Sequence, residues 1–161
     1  MKQITITLYE FNELPENIQR KVLDEHYDIN IDHDWMDVYH DAEQIGIKIT
    51  EFDLDMGRYC DGEKLIPSEE IANRILESHG EQCETYKTAA HYLEQRNELL
   101  KSTDDEYEIE SIDDEFMKAI LHDYSNTLQQ EYDYLTSDET IKETILANEY
   151  TFEINGKMRN E

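Results

Sequence analysis

The sequence predicts an α+β fold, a mostly helical single domain of residues 1–161 with a small antiparallel sheet formed by terminal strands and a central hairpin. Apolar residues recur at three- and four-residue steps over most of the chain, as in amphipathic helices. Shorter segments near both ends and near the middle alternate apolar and polar residues, as in half-buried strands. A hydrophobic content of 38% in 161 residues is enough to form a packed core.

The first third of the chain is predicted to form one strand and two helices. Residues 4–8 alternate and predict the first strand. A helix is predicted from Pro15 to about Tyr27 and another from about Asp32 to Ile45, with Gly46 as its C-terminal cap. The predicted core faces are Leu14, Ile18, Val22 and Leu23 or His26 in the first helix, and Trp35, Val38, Tyr39, Ala42 and Ile45 in the second.

A hairpin is predicted in the centre of the chain. The alternation of apolar residues changes parity between Ile49 and Phe52, which indicates a bulge near Thr50 or Glu51. Residues 55–58 have the composition of a turn, and residues 59–65 return as the second strand.

Two helices are predicted after the hairpin. The first follows Pro67, with Ser68 as its N-cap, and ends at Gly80. Its predicted apolar stripe consists of Ile71, Ala72, Ile75, Leu76 and His79. The second runs over about residues 81–102. Its predicted core face consists of Cys83, Tyr86, Ala90, Leu93 and Leu100.

The last part of the chain is predicted to contain a long helix, a short helix and a terminal strand. Ser111 is predicted to cap the long helix, with Phe116, Ile120, Leu121, Tyr124 and Leu128 in the core. Thr136 and Glu139 form a similar capping pair before the short helix. Residues 150–154 are predicted to be a strand that turns at Asn155–Gly156.

The most acidic segment lies between two predicted helices. Residues 104–115 hold eight carboxylates in twelve residues and no Lys or Arg. These candidate partner-binding residues are Asp104, Asp105, Glu106, Glu108, Glu110, Asp113, Asp114 and Glu115. With Ser111 as a cap, the last three would stabilise the first turn of a helix, whereas residues 104–110 would form a linker whose charge needs a partner.

The charge balance limits the possible partners. The chain has a formal net charge of −26, and such self-repulsion opposes compaction. Nucleic acid and anionic membrane surfaces bind basic patches, so we expect neither to be a partner and expect a basic protein instead. The sequence shows no signal peptide, membrane span or disulfide framework, which favours a cytoplasmic protein with free Cys60 and Cys83.

No catalytic or cofactor motif stands out, and we predict neither an enzyme nor a cofactor. Alternating oxygen ligands at the start of an EF-hand loop are matched by Asp28, Asn30, Asp32 and Asp34. His33 then replaces the required Gly and Tyr39 the bidentate Glu, which argues against calcium. His26, His33 and His40 recur every seven residues but match no established metal motif, so no metal site is predicted.

Several short motifs are similar to one group of proteins. They are Leu8–Leu14, Asp28–Asn30 with Trp35, Phe52–Asp55 with Gly57, Tyr59–Cys60, Gly62–Glu63, and Ala147–Phe152 with Asn155–Lys157. Together they resemble small acidic proteins encoded by phages and prophages. The resemblance implies a phage or mobile-element context inside a bacterial host, and it transfers no active site.

The resulting functional prediction is an acidic inhibitor. A folded domain with dense carboxylates can occupy the basic groove of a nucleic-acid-handling host protein, such as a restriction or CRISPR nuclease, by polyanion mimicry. Apolar anchors for such an interface are sought among Tyr107, Tyr124, Tyr132 and Tyr134. The alternatives are an antitoxin-like or regulatory protein that binds one partner mainly by shape, and an acidic accessory protein with a structural or metal-binding role near Asp32.

Overall fold

A computed structural model describes residues 1–31, 35–55, 58–103 and 105–159. Its elements in chain order are β1 (Tyr9–Glu10), a 3₁₀ turn (Phe11–Glu13), α1 (Glu16–Glu25), α2 (Met36–Gln44), β2 (Ile47–Asp53), β3 (Tyr59–Lys64), α3 (Ser68–Ser78), α4 (Glu84–Ser102), α5 (Glu106–Leu135), α6 (Asp138–Ala147), β4 (Thr151–Phe152) and β5 (Met158–Arg159). The predicted α+β class with mostly helical content is confirmed. Among the described helices, none combines the length and the apolar character needed to cross a membrane.

The residues divide into two compact units, and each unit has its own sheet. The terminal unit comprises Met1–His33 and Glu131–Glu161, and the central unit comprises Asp34–Gln130. Strands β1, β4 and β5 form the sheet of the terminal unit in the order β1-β4-β5, whereas β2 and β3 pair only with each other. The expectation that the terminal strands join the hairpin in one sheet was therefore wrong, because each sheet covers a separate core. That residues 1–161 form one domain stays a prediction.

The first strand is shorter and later than predicted. Only Tyr9 and Glu10 pair with β4, opposite Phe152 and Thr151. Ile4, Ile6 and Leu8 have no such partner and are exposed, because β4 contains only two residues. The alternation of these side chains is compatible with a strand, but a strand also requires a neighbour of matching length.

The terminal unit is held together by an apolar core. Its buried residues are Phe11, Leu14, Val22, Leu23, Ile141, Ile145 and Phe152.

The N-cap of α6 is Ser137, whose Oγ accepts a hydrogen bond from the Thr140 backbone N–H at 3.3 Å. The prediction that Thr136 caps this helix was therefore wrong. The predicted terminal hairpin at Asn155–Gly156 is confirmed by the antiparallel pairing of β4 with β5.

The central unit contains the predicted hairpin and its bulge. The register of β2 against β3 shifts between Ile49 and Glu51, where the change of parity placed the bulge. Its core contains residues from the hairpin and from α2 to α5. The buried members are Val38, Ala42, Ile45, Ile47, Ile49, Cys60, Ile71, Ala72, Ile75, Ala89, Tyr92, Phe116, Ile120, Tyr124 and Leu128. These include the predicted core residues of α2 and α5 except the partly buried Trp35, Tyr39 and Leu121.

The buried face of α4 differs from the prediction. Thr85, Ala89 and Tyr92 are buried, whereas Cys83 and Leu100 are exposed. On this buried face, Thr85 and Tyr92 each hydrogen-bond to a side chain outside α4, and the Tyr92 ring stacks on Phe116 with ring centroids 4.2 Å apart. At the start of α3, Pro67 is the N-cap, and the predicted cap Ser68 is the first helical residue.

We expect Gly46→Ala to lower the free energy of unfolding of the central unit by about 2 kcal/mol or more. Gly46 has φ +98°, a conformation unfavourable for alanine, and a Cβ there would overlap the Ile66 side chain. Urea titration followed by the fluorescence of Trp35 measures the change. Gly80→Ala is the matched control, because a Cβ there meets only the Gln82 side chain, at 3.2 Å. Equal destabilisation by both substitutions would contradict this reasoning.

Candidate functional site

The acidic segment is the beginning of α5, which corrects the predicted linker and its cap. The helix starts at Glu106, so Ser111 lies inside it and caps nothing. Oδ1 of Asp105 instead accepts a hydrogen bond from the Tyr107 backbone N–H at 2.9 Å, and the Asp105 N–H donates to Thr103 Oγ1 at 3.0 Å. Glu106 and Glu108 occupy the first turn, where carboxylates are favoured by the helix dipole.

Most of the predicted partner-binding residues are exposed on the first turns of α5. Five exposed carboxylates, here called the acidic face, are Glu106, Glu108, Glu110, Asp114 and Glu115. Asp105 is also exposed, beside the helix start, and Asp104 lies outside the described residues. The acidic face covers the exposed side of the first turns of α5: by the helical repeat, Glu106, Glu110 and Asp114 lie along one edge, and Glu108 and Glu115 along the other, with Tyr107 between. It has no Lys or Arg between Lys101 and Lys118 of the sequence.

Asp113 differs from the other acids because it lies in a network within the central unit. The Tyr92 hydroxyl donates a hydrogen bond to Oδ1 of Asp113, and Nε of Arg96 lies 3.9 Å from the same oxygen. Arg96 also forms an ion pair with Glu69 of α3, with an N–O distance of 3.0 Å. Burial and the hydrogen bond to Asp113 both raise the pKa of Tyr92. The network connects α3, α4 and α5, so Asp113 anchors the acidic turns to the core.

The predicted tyrosine anchors fall into different environments. Tyr107 is 83% exposed beside the acidic face, and Tyr134 is 61% exposed in the terminal unit. Tyr132 is partly buried. Tyr124 is buried in the core of the central unit, and its hydroxyl donates to Asp41, so the proposal of an exposed anchor at Tyr124 was wrong. Tyr107 is the aromatic residue that accompanies the acidic face.

A second feature of the central unit is a cavity of about 670 Å³. Four carboxylates line it, from Asp37, Asp41, Glu84 and Asp123. The His79 imidazole also lines this acidic cavity. Its Nδ1 lies 2.6 Å from Thr85 Oγ1, and its Nε2 lies 3.4 Å from Asp41 Oδ2.

The polar groups of the cavity form a chain through the central unit. Asp41 Oδ2 accepts a hydrogen bond from the Tyr124 hydroxyl at 2.9 Å, and Asp123 Oδ2 accepts one from Thr88 at 2.7 Å. A hydroxyl, an imidazole and a carboxylate in sequence also occur in nucleophilic active sites. Here the Thr85 side chain is itself buried, and the evident effect of the chain is to join α2, α3, α4 and α5.

The two half-buried aspartates of the cavity have opposite pKa shifts. The His79 imidazole beside Asp41 is the main cause that lowers the pKa of Asp41, and the Tyr124 hydroxyl contributes in the same direction against the effect of burial. Burial is the main cause that raises the pKa of Asp123, and the Thr88 hydroxyl offsets only part of it. The ionised form of Asp41 is therefore stabilised by its neighbours, whereas the ionised form of Asp123 is destabilised by burial.

The metal and cysteine predictions can be compared with the structure only in part. Asp32, His33 and Asp34 lie outside the described residues, and elsewhere no three His, Cys, Asp or Glu side chains are grouped closely enough to hold a metal ion. Both cysteines are free thiols, as predicted. Cys60 is buried, which raises its pKa to about 11, whereas Cys83 is exposed at the acidic cavity.

Sequence reasoning missed the acidic cavity. His79 was assigned to the apolar stripe of its helix, and Asp41 and Asp123 were not distinguished among 40 acids. Asp41 is separated by more than 80 residues from Tyr124, so the contact depends on the tertiary fold. One local signal was Thr85, a polar residue four positions before Ala89 and seven before Tyr92. It lies on the buried face of α4, where packing usually places an apolar residue.

No protein family, curated protein sequence or solved structure matches this chain.

Substitution of the two aspartates should change the stability in opposite directions. The pKa of Asp41 is lowered by folding. Its contribution to the free energy of unfolding is therefore fully present above the unfolded-state pKa and is lost as the pH falls through the folded-state pKa. For Asp123 the pKa is raised, so stability is present at low pH and lost as the pH rises through the folded-state value. We expect Asp41→Asn to lower the melting temperature at pH 7 by a few degrees, and Asp123→Asn to raise it.

Thermal unfolding between pH 3 and pH 7, followed by circular dichroism, measures both profiles. The Asp41 variant should lose less stability than the unsubstituted protein on acidification below about pH 4. The Asp123 variant should lose less stability as the pH rises from there. Asp37→Asn in the same cavity controls for the removal of one charge. Parallel profiles for all three variants would contradict the assigned interactions.

Proposed function

We propose that this protein is a non-enzymatic acidic inhibitor that binds a basic, nucleic-acid-handling protein by polyanion mimicry. The observation that supports the proposal is that most of the acidic segment lies in a helix whose first turns expose five carboxylates. A flexible acidic linker would need to be ordered when it binds, at an entropic cost. The acidic face is already ordered by the fold of the central unit.

The charge density of the acidic face is comparable to that of a nucleic acid. From Glu106 to Glu115 the helix rises about 13.5 Å, at 1.5 Å per residue. Five exposed carboxylates over that length give one charge per about 2.7 Å. DNA carries one charge per about 3.4 Å along one strand and about 1.7 Å for both strands. A basic groove that accommodates a phosphate backbone therefore meets a similar charge density here.

Attraction by charge needs a local anchor for affinity. Exposed ion pairs contribute little individually, and most of the free energy of protein association comes from a few buried aromatic or arginine side chains. Tyr107 is almost fully exposed next to the acidic face, and its ring can be buried by a partner. Tyr107 lines a shallow depression together with Glu110, Ser111, Asp114, Glu115 and Lys118. We therefore propose Tyr107 as the anchor and the carboxylates as the source of steering.

The proposed setting is the cytoplasm of a bacterial host. The similarity of the motifs to phage and prophage proteins supports a target in host defence, such as a restriction or CRISPR nuclease, whose nucleic-acid channel is basic. Such an inhibitor would act by occupying the channel and would bind no nucleic acid itself. Neither a cofactor nor a metal is needed for this mechanism.

Neutralisation of the acidic face should weaken binding to such a partner. In the variant Glu106→Gln, Glu108→Gln, Glu110→Gln and Asp114→Asn, we expect the affinity to fall about fourfold to about a thousandfold, because each exposed ion pair contributes about 0.2–1 kcal/mol. Affinity capture from a bacterial lysate on the unsubstituted protein identifies the partner, and surface plasmon resonance then measures affinity between about 50 and 200 mM salt. Added duplex DNA should release the captured protein.

The matched control removes four exposed carboxylates elsewhere, in Asp28→Asn, Glu43→Gln, Glu77→Gln and Glu143→Gln. It has the same net charge as the acidic-face variant, and we expect its affinity to stay within a few fold of the unsubstituted protein. Equal losses would show that total charge and not the acidic face determines binding. Capture that is insensitive to salt and to DNA would contradict mimicry and favour the antitoxin-like alternative.

A further inference from the structure

The acidic cavity of the central unit has the size and the charge of a ligand site. Its volume of about 670 Å³ falls within the range of small-molecule pockets. Asp37, Asp41, Glu84 and Asp123 contribute carboxylates, and the described lining residues include no Lys or Arg. Val38 adds an apolar wall. The cavity therefore favours a ligand that has positive charge and an aliphatic part.

His79 gives an independent indication that this site is incomplete. Its side chain is nine-tenths buried, and Nδ1 lies at hydrogen-bond distance from Thr85. Nε2 faces Asp41 Oδ2 at 3.4 Å but has no hydrogen-bond partner among the described residues. Buried polar atoms without a partner are uncommon and occur where a water, an ion or a ligand completes the hydrogen bonding.

The two half-buried aspartates retain acceptor capacity towards a ligand. Asp41 accepts its hydrogen bond from the Tyr124 hydroxyl at Oδ2, and Asp123 accepts its hydrogen bond from the Thr88 hydroxyl at Oδ2. A carboxylate has two oxygens and can accept two bonds from a guanidinium group. Oδ1 of each residue accepts no side-chain hydrogen bond within the part of the chain that the structure describes, so it remains as an acceptor for a ligand.

We propose that the acidic cavity binds an organic cation, a guanidinium or primary ammonium group on an aliphatic chain, with Asp41 and Asp123 as the acceptors. The carboxylates are distributed around the cavity, and among the described residues no three potential ligands are grouped as a metal site requires. An elongated cation matches that distribution better than a metal ion does. The cation can belong to a free amine or to an arginine of the basic partner, and the second source rests on the proposed function.

Binding can be measured with defined probes on the full chain. We expect N-acetyl-arginine amide or spermidine to raise the melting temperature saturably at constant ionic strength. N-acetyl-citrulline amide, which has the shape of the arginine probe without its charge, should have no effect. Asp123→Asn should weaken binding by about tenfold or more, because a hydrogen bond between charged groups is replaced by one to a neutral amide. An equal shift with the citrulline probe, or an unchanged affinity in the Asp123 variant, would overturn the proposal.

Cys83 provides a measurement that needs no substitution. It lines the cavity with an exposed thiol, whereas Cys60 is buried. We expect saturating arginine probe to slow the alkylation of Cys83 by iodoacetamide at least threefold, detected by mass spectrometry, with no effect of the citrulline probe. An alkylation rate of Cys83 unaffected by saturating probe would overturn the proposal even if the substituted proteins fail to fold.

A free amine and a protein side chain predict different relative affinities for the two probes, and either order of affinities supports binding of an organic cation. Stronger binding of spermidine than of the arginine probe identifies a free polyamine, and the reverse identifies a protein side chain. The acidic-face variant keeps Asp41 and Asp123 and should bind both probes as the unsubstituted protein does. If it loses the captured partner but keeps the probes, the two sites are separate. If probes bind but no nucleic-acid-handling partner is captured, the proposed function fails while the cavity proposal stands.

Discussion

Three half-buried carboxylates of the central unit accept hydrogen bonds from neutral hydroxyl donors. With 40 acids and 14 Lys and Arg residues, most carboxylates cannot be paired with a cation. Tyr92 donates to Asp113, Tyr124 to Asp41, and Thr88 to Asp123. Each bond joins side chains of different helices in the central unit. Folding therefore satisfies the acids that it partly buries, and the few arginines are used where two acids meet, as at Arg20 with Asp24 and Asp138.

A hydroxyl satisfies a carboxylate without neutralising it. An ion pair would cancel most of the charge, whereas a hydrogen bond from tyrosine leaves the negative charge in place. The field of the acids consequently extends both to the exposed surface and into the cavity beside Asp41 and Asp123. Asp41 and Asp123 of the acidic cavity are held in this way, whereas the carboxylates of the acidic face lie exposed to solvent.

The sequence predicted the helices whose core faces are made of aliphatic residues. Periodicity located Ile71 and Ile75 in α3 and Ile120 and Leu128 in α5, because apolar burial is a local property of the pattern. It failed for α4, where the buried Thr85 and Tyr92 hydrogen-bond to His79 and to Asp113, contacts that apolar periodicity does not encode. The predicted strand at residues 4–8 failed for a related reason, since pairing depends on the length of β4. Likewise, the cavity combines four helices and could not be derived from spacing.

The failure at the acidic segment is the most informative, because the reasoning from charge was sound but incomplete. The linker was predicted from the choice of Ser111 as the helix cap, although repulsion between neighbouring carboxylates also opposes helix formation. Two local effects act against this repulsion: Asp105 caps the helix, and the first-turn acids interact favourably with the helix dipole, at about 0.3–1 kcal/mol each. Asp113 then adds a tertiary attachment through Tyr92 and Arg96. Because the same helix continues into Phe116 and Ile120 of the core, the acidic face has a fixed orientation before any partner binds. The entropic cost of ordering these carboxylates is thus part of folding, and the proposed mode of binding would need to overcome only the desolvation and the loss of rigid-body freedom.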